Sequence, residues 1–224
     1  GLMWKLSLKR WRYRSQLAGT TLQQCWQHAL PDKGTDWRKV SFLVCDAEMS
    51  SLDVSEGELL SVGWVCIEDG SIALESAKHY LLKTEKTVGQ SAAIHQLRDC
   101  ELREGLSKPE VLNLFLAAAA GKILVFHNAV LDMAYLNRCS QQYFGAPLIL
   151  PTIDTMALEH SRLNRHDSVI KPGDLRLQGC RDRYNLPPYP GHNALVDALA
   201  TAELLIAQTK HRSGGKCLKL AELF

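Results

Sequence analysis

The alternation of apolar and polar positions divides the chain into strand-like and helix-like stretches. Short apolar runs bounded by turn residues predict strands at 40–46, 59–67, 72–82, 123–126 and 148–153. Longer stretches with helical periodicity predict helices at 108–120, 129–142, 154–160, 175–184 and 194–210. Three consecutive strands, followed by strands that alternate with helices, predict an α/β domain with a five-stranded mixed sheet flanked by helices.

Polar residues that can cap helices sharpen these boundaries. Ser107, Asn128 and Asn193 each precede a helical stretch and can accept a hydrogen bond from its first turn, so we expect them to be N-caps. The segment 83–103 is predicted to be a loop that holds at most a short helix. The polar segment 161–173 ends in Pro-Gly and is also predicted to be a loop.

The first 40 residues differ in charge from the rest of the chain. They contain eight Lys or Arg and two Asp residues, whereas residues 41–224 contain 18 basic and 22 acidic residues. We therefore divide the chain into a basic N-terminal arm and linker (1–39), a catalytic or binding domain (40–212) and a C-terminal tail (213–224).

The basic arm carries an apolar stripe. Trp4, Leu8 and Trp11 have the i, i+4, i+7 spacing of one helix face. Such a helix can bind nucleic-acid phosphates or an acidic partner through its basic side chains. It can also lie on a membrane surface, or pack on the domain with its basic face in solvent. The sequence leaves these three interpretations of the helix open.

Composition narrows the class of protein. Hydrophobic residues make up 46% of the chain and charged residues 22%, which is typical of a globular protein. No apolar run approaches the ~20 residues that span a bilayer, and no stretch has the pattern of a signal peptide. The seven cysteines are scattered without a C-x-x-C pair, which argues against a zinc knuckle or a disulfide framework. We expect a cytoplasmic protein without an integral membrane segment.

An acidic pair ends the first predicted strand. Asp46 and Glu48 are two residues apart, so their side chains point to the same face of a strand. Two buried like charges are costly unless a counter-charge compensates them. Carboxylate oxygens are the ligands that Mg²⁺ and Mn²⁺ prefer, so this pair predicts a site for a divalent cation.

Two further acids follow predicted helix starts. Asp132 lies about one turn inside the helix that follows the fourth strand, at the sheet edge where clefts form in α/β proteins. A structural interpretation is that Asp132 only complements the helix dipole. Asp197 lies near the start of the last helix, and His192 precedes it on a Pro/Gly-rich turn. An imidazole there can accept a proton from water at neutral pH, although most loop histidines are ordinary surface residues.

Together these residues resemble the motifs of a known family. Asp46-x-Glu48, His127-Asn128-x-x-x-Asp132 and His192-x-x-x-x-Asp197 resemble the three motifs of the DEDDh group of 3′→5′ exonucleases. That group is similar to the proofreading epsilon subunit of bacterial DNA polymerase III. Two shorter elements, Ala93-Ile94-His95 and Ile153-Asp154-Thr155, resemble the group's Ile-His and Asp-Thr elements. The resemblance spans residues 40–210, with 84 residues from Glu48 to Asp132 and 65 from Asp132 to Asp197.

The resemblance implies an RNase H-like fold and hydrolysis of phosphodiester bonds at 3′ ends, with release of nucleoside 5′-monophosphates. It implies two divalent cations, Mg²⁺ or Mn²⁺, with His192 as the general base. The implied metal ligands are the four carboxylates Asp46, Glu48, Asp132 and Asp197. The implied contacts to the terminal nucleotide are Met49, His95, His127 and Asn128.

One position departs from the family pattern. The family usually continues Glu-Thr-Thr-Gly-Leu-Asp, whereas this chain has Glu-Met-Ser-Ser-Leu-Asp at 48–53. Met49 can keep the backbone contact to the terminal nucleotide but not the hydroxyl contact. It either stacks under the base or is a core residue.

We therefore expect a metal-dependent 3′→5′ exonuclease that acts on single-stranded DNA ends. The alternatives are a 3′→5′ exoribonuclease similar to oligoribonuclease or ribonuclease T, and a catalytically silent nucleic-acid-binding subunit. The complete set of four acids and a histidine argues against the silent subunit. A polymerase or a sliding clamp is the protein partner that the resemblance suggests. The end of the tail, Glu222-Leu223-Phe224, loosely resembles a clamp-binding peptide without its Gln, but we favour a tail packed on the domain.

Overall fold

The structure, a computed structural model, describes residues 2–84 and 105–224. Nearly all of the predicted loop at 83–103, including His95, lies outside these residues. Strands of the described residues form one five-stranded sheet: β1 (Phe42–Met49), β2 (Leu59–Glu68), β3 (Ser71–Leu81), β4 (Ile123–Phe126) and β5 (Thr152–Asp154).

The sheet is mixed, and β1 lies at its centre. The strand order is β3-β2-β1-β4-β5. β1 pairs with β2, and β2 with β3, in antiparallel fashion, whereas β4 is parallel to both β1 and β5. This confirms the predicted α/β class with a five-stranded mixed sheet.

Helices cover both faces of the sheet. They are α1 (Leu2–Trp11), α2 (Thr21–Gln27), α3 (Lys108–Ala119), α4 (Ala129–Phe144), α5 (Thr155–Arg165), α6 (Leu177–Asp182) and α7 (Ala194–Ser213). Ser107 and Asn193 are N-caps as predicted, because their side chains accept hydrogen bonds from the first turns of α3 and α7. None of the described helices is both long and apolar enough to cross a membrane.

The two faces of the sheet form separate apolar cores. Alternate residues of β1 point to opposite faces, so Leu43 and Cys45 pack toward α2, α3 and α4. Phe42 and Val44 pack toward α5, α7 and the tail. The even-numbered face of β1 therefore leads directly to Asp46 and Glu48, on the side of α7.

Two strand boundaries differ from prediction by three residues or more, and the others differ by at most two. β1 extends to Met49, so that Asp46 and Glu48 both lie within the strand. β5 begins at Thr152 rather than at residue 148. The reason is that Ile149 has a left-handed backbone, with φ of 47°, which interrupts an extended strand.

The loop predicted at 161–173 is also partly wrong. α5 continues to Arg165, because the polar residues of this stretch are acceptable on the exposed side of a helix. From Asp167, which has φ of 50°, the chain turns away from the helix.

The arm and linker contribute to both cores. Leu17, Leu22 and Cys25 are buried in the core beneath α3 and α4, and Trp37 is buried in the other core. The division at residues 39 and 212 stays a prediction, but the first 39 residues are packed with the domain.

α1 has the predicted helical conformation and an unexpected orientation. The side chains of Trp4, Leu8 and Trp11 are 66%, 58% and 67% exposed, so the apolar stripe faces solvent. The orientation follows from Arg10, whose guanidinium donates two hydrogen bonds to the carbonyl of Ile149, at 2.9 and 3.1 Å. The guanidinium also lies 5.2 Å from the ring centroid of Trp26.

The tail packs on the domain. Leu218, Leu220 and Leu223 are buried in the core beside α7. The backbone amide of Leu220 donates to the carbonyl of Thr35, and that of Trp37 to the carbonyl of Leu218. This agrees with the interpretation favoured from the sequence.

Candidate active site

β1 presents two carboxylates beside the start of α7. One carboxylate oxygen from each of Asp46, Glu48 and Asp197 can be chosen so that all three lie within 4.8 Å of one another. The pairing of β1 with β2 shifts register between Glu48 and Met49. Such bulges re-aim side chains at the end of a strand, and this one falls directly after the acidic pair.

Gly63 brings α7 this close to the sheet. It pairs with Asp46 across the β1–β2 ladder. A Cβ atom at Gly63 would lie 2.4 Å from the backbone nitrogen of Leu195 and 2.5 Å from the carbonyl carbon of Ala194. The first turn of α7 therefore rests on the bare backbone of β2, which fixes Asp197 against Asp46.

Asp132 reaches the same edge from α4, on the other side of β1. Its carboxylate accepts a hydrogen bond from the backbone amide of Ala47. Its second oxygen, Oδ2, is buried and has no hydrogen-bond partner among the described residues. Asp132 does not belong to the tight group of three, but its charge acts on Asp46 and Glu48.

The pKa of each of the four carboxyl groups is raised. Burial, followed by the charges of Asp132, Asp197 and Glu48, raises the pKa of Asp46 well above its usual range. Burial and the Asp197 charge raise the pKa of Glu48 to about 7. Burial also raises the pKa of Asp132 and of Asp197. A side-chain hydrogen bond between Asp46 and Asp197 also favours the proton on Asp46 over one on Asp197.

The start of α4 is capped differently from the prediction. Asn128 occupies the N-cap position with a left-handed backbone, φ 66°, and its side chain makes no capping bond. Instead, the carboxylate of Asp154 accepts from the amides of Asn128 and Ala129, at 2.9 and 3.0 Å. It also accepts from the amide of Met156 in α5, at 2.9 Å. One carboxylate thus anchors two helices, and the Asn128 side chain is left exposed at the edge.

His127 is held inside the protein. Its Nε2 lies 2.7 Å from the carbonyl oxygen of Leu175, and its Nδ1 lies 2.7 Å from Oγ1 of Thr155. Because a carbonyl can only accept, Nε2 carries the hydrogen and Nδ1 accepts from the hydroxyl. Burial lowers the pKa of His127. Both ring nitrogens are engaged, which speaks against direct contact between this side chain and a substrate.

His192 is exposed beside Asp197. Its backbone amide donates to the Asp197 carboxylate, and its charge acts on the same group. Helical spacing does not pair these two residues, and the structure joins them through the backbone of His192 instead. His192 has φ of 76°, so its turn is a specific conformation that projects the imidazole from the loop.

Two residues that the sequence argument missed hold this loop. Arg181 is buried, and its guanidinium donates to the carbonyl of Ala200 in α7 and to that of Pro187, both at 2.8 Å. Tyr189 stacks on this guanidinium, 5.0 Å from its ring centroid. Burial and the charge of Asp197 raise the pKa of Tyr189 to about 12. An arginine inside a short helix gave no sequence signal for this role.

Met49 lies at the end of β1, partly buried against the core beneath α4. Its position next to the bulge is compatible with either of its two interpretations. Asn128 is exposed at the same edge of the sheet, and His95 lies outside the described residues.

The strand order, with helices on both faces of the mixed sheet, defines an RNase H-like fold. A family model described as exonuclease, of the ribonuclease T type, matches residues 43–205. The chain therefore belongs to this exonuclease family.

Two relatives of this chain are DNA polymerase III proteins. The chain is 29% identical over 190 residues to a PolC-type DNA polymerase III of Thermotoga petrophila, covering 84% of this chain and 13% of the relative. It is 27% identical over 197 residues to the DNA polymerase III epsilon subunit of Treponema pallidum, covering 82% and 84%. The chain thus spans a small part of the PolC-type relatives and most of this epsilon subunit.

Solved structures share the fold at low identity. Exonuclease I of E. coli, in complex with a dA16 oligonucleotide, superposes with a TM-score of 0.65 at 13% identity, over 78% of this chain and 42% of that one. The Mg²⁺- and Mn²⁺-bound form of S. pombe Pop2p superposes with a TM-score of 0.62 at 13% identity, over 93% and 89%.

Proposed function

We propose that this protein is a 3′→5′ exonuclease that removes nucleotides from single-stranded DNA ends with two divalent cations. The observation that carries the proposal is the convergence of four carboxyl groups on one edge of the sheet, beside an exposed histidine. Membership in the exonuclease family supports it. The direction of hydrolysis rests on the sequence motifs and on the resemblance to epsilon subunits.

The residues present fit divalent cations. Among the described residues, no Lys or Arg side chain forms an ion pair with Asp46, Asp132 or Asp197. Oδ2 of Asp132 is buried without a partner among the described residues, and burial together with the neighbouring acids raises the pKa of Asp46 and of Asp132. Two divalent cations would neutralise four ionised carboxylates, and Asp46, Glu48, Asp132 and Asp197 would be their ligands.

Each side chain has a definable part in the reaction. When bound, the cations would supply charge stabilisation for the phosphodiester and activation of the attacking water. Asp46, Glu48, Asp132 and Asp197 position those charges through rigid elements on both sides of β1. His192 is exposed beside Asp197 and takes the proton from the water as general base.

The surface around Asn128 offers a place for the substrate strand. A cavity of about 510 Å³ beside Asn128 is lined on its other side by the segment 170–177. Lys171 and Arg176 lie in that segment and can meet phosphates. The terminal nucleotide would reach Asn128 and Met49, and His127 would act indirectly by holding the segment at Leu175.

A partner of the polymerase type follows from the same resemblance. The relative from Treponema pallidum is named as an epsilon subunit of DNA polymerase III. We therefore propose that this chain acts together with a polymerase. The buried Leu223 does not support a sliding-clamp peptide at 222–224, since that segment is packed on the domain.

The decisive experiment compares the degradation of two labelled strands, one of DNA and one of RNA, that have the same sequence. Single-stranded DNA and RNA, each labelled at the 5′ end, are incubated with the protein and Mn²⁺, and separately with EDTA. We expect a ladder shortened stepwise from the 3′ end, faster on DNA, and no products in EDTA. The Asp46→Asn variant should lose more than about 10³-fold in rate, because it removes a ligand for the cations.

Asp167→Asn is the matched control, since Asp167 is an exposed aspartate after α5 with a left-handed backbone that Asn also adopts, and it should leave the rate unchanged. Internal cuts, or full activity in the Asp46→Asn variant, would contradict the proposed function. Faster shortening of RNA would favour the exoribonuclease, and binding without hydrolysis would favour the silent subunit.

A further inference from the structure

A second group of like charges lies at the far end of α5 and α7. The cavity there has a volume of about 240 Å³. Its basic lining residues are the arginines Arg162, Arg165 and Arg212 and the histidines His166 and His211. Asp197 and Arg212 are 15 positions apart on α7, which is roughly 22 Å along the helix, so this cavity is separate from the acidic edge.

One of these arginines is neutralised. Arg162 lies 3.2 Å from the buried carboxylate of Glu159, and its guanidinium lies 4.8 Å from the ring centroid of Tyr184. Glu159 also accepts a hydrogen bond from Gln208, at 3.1 Å. Arg162, Glu159, Tyr184 and Gln208 therefore form a fixed wall of the cavity rather than a source of free charge.

Arg165 and Arg212 lack such a counter-charge. In the part of the chain that the structure describes, no carboxylate lies within ion-pair distance of either guanidinium. Burial and the neighbouring charge of Arg165 lower the pKa of Arg212, and Glu222 offsets this only partly. Two guanidinium groups that line one small cavity repel each other, and an anion bound between them would relieve this repulsion.

Complementing the helix dipole does not account for this arrangement. Basic residues are favourable in the last turn of a helix, and α7 ends with Lys210, His211 and Arg212. An exposed cation such as Lys210 is sufficient to complement the helix dipole. Arg212 is instead partly buried and lines the same cavity as Arg165 of α5.

The other residues that line the cavity indicate which further chemical groups its ligand carries. Leu158 and Leu223 give the cavity an apolar side. Gln208 contributes an amide oxygen, Oε1, that is buried without a partner among the described residues. The volume is below the roughly 300–1,000 Å³ of typical sites for drug-sized ligands, so a nucleic-acid chain does not fit inside.

We propose that this cavity binds a small phosphate monoester, such as a sugar phosphate or a nucleoside monophosphate. The phosphate lies between Arg165 and Arg212, because guanidinium groups match the oxygens of a dianion through paired hydrogen bonds. The sugar packs against Leu158 and Leu223 and presents a hydroxyl donor toward Gln208. Nothing in this proposal depends on the hydrolysis of nucleic acids at the acidic edge.

The test is calorimetric titration of the full chain in EDTA, so that binding through divalent cations at the acidic edge does not contribute. The probes are ribose 5-phosphate, adenosine 5′-monophosphate, inorganic phosphate and adenosine. We expect one site per chain, with both monoesters bound at least about tenfold more tightly than inorganic phosphate, and no binding of adenosine. The same titration in the Asp46→Asn variant should give the same affinities.

Arg165→Gln and Arg212→Gln should each weaken ribose 5-phosphate by about tenfold or more, the loss expected for one charged hydrogen-bonding partner. Lys210→Gln is the matched control, because it removes the same charge from the same turn of α7 outside the cavity. Arg165 is exposed, so its variant should fold normally. The absence of saturable binding at millimolar ligand would overturn the proposal. Equal weakening by Lys210→Gln would do the same.

Discussion

α7 begins beside a cluster of acids and ends beside a cluster of bases. At its start, Asp197 meets the carboxyl groups of β1 in a buried setting that raises the pKa of each of these acids. At its end, Arg212 and Arg165 line one cavity, where the exposure of Arg165 to solvent weakens the repulsion without removing it.

The difference between the two ends is one of dielectric environment. Buried like charges interact strongly, so the acidic edge should hold its counter-ions tightly and in fixed positions. Half-exposed charges interact weakly, so the basic cavity should exchange its ligand readily and lose affinity with added salt. A catalytic centre suits the first setting, and reversible binding of a small anion suits the second.

The largest effect that can separate the two ends is expected at His192. His192→Ala should lower the rate of hydrolysis by roughly 10²–10⁴-fold, the range for loss of a general base, with Mn²⁺ affinity unchanged. His166→Ala is the matched control, because His166 lines the basic cavity instead. Single-turnover assays and Mn²⁺ titration measure the two quantities. An unchanged rate in His192→Ala would remove this residue as the base.

A smaller effect on the acidic end is expected at Gly63. Gly63→Ala places a methyl group against the backbone of α7, so Asp197 must move away from Asp46. We expect about 10²-fold slower hydrolysis, because catalytic geometry tolerates little displacement. Ribose 5-phosphate binding at the other end should be preserved. In Gly34→Ala, the methyl group meets only the side chain of Asp32, so this variant should behave as wild type.

The smallest effect is a change of stability with pH. The folded protein keeps the Glu48 proton up to a pKa of about 7, whereas the unfolded chain releases it near the ordinary value of 4.5. Stability without metal should therefore fall as pH rises between these values, since the unfolded state binds fewer protons. Mn²⁺ displaces the protons, so the gain in melting temperature from Mn²⁺ over EDTA should increase across this window by about 5 °C.

Thermal unfolding in paired Mn²⁺ and EDTA samples at each pH measures this gain. Comparing the Mn²⁺ and EDTA samples at the same pH removes the contribution of titratable groups far from the acidic edge. In the Asp46→Asn variant, the gain should be smaller at every pH. A gain that stays constant from pH 4.5 to 7 would show that these carboxyl groups do not compete with the cation for protons.

The acidic edge could be predicted from the sequence because it depends on patterns within short stretches of the chain. The alternation of β1 places Asp46 and Glu48 on one face, and Asn193 marks the start of the helix that carries Asp197. The position of Asp132 was also anticipated, but the cap that holds its helix comes from Asp154, which is 26 positions beyond Asn128 in the chain. A side chain that caps a helix from another strand has no signature in the sequence next to that helix.

The basic cavity and the orientation of α1 could not be predicted from the sequence. The cavity is assembled from α5, α7, Tyr184 and the tail, and no short motif links them. The spacing of Trp4 and Trp11 predicted a helix correctly, but the periodicity of a helix does not say which side meets the protein. That choice is made by Arg10 and the carbonyl of Ile149, a contact between residues 139 positions apart.

The carboxylate of Asp154 has a consequence for local opening. The first amides of α4 and of α5 share this single acceptor, so loss of its hydrogen bonds frees both helix starts at once. Hydrogen exchange at Asn128, Ala129 and Met156 should therefore report one common opening event, with a single protection energy. The two helices that diverge from the acidic edge are, at their origins, one unit of cooperative motion.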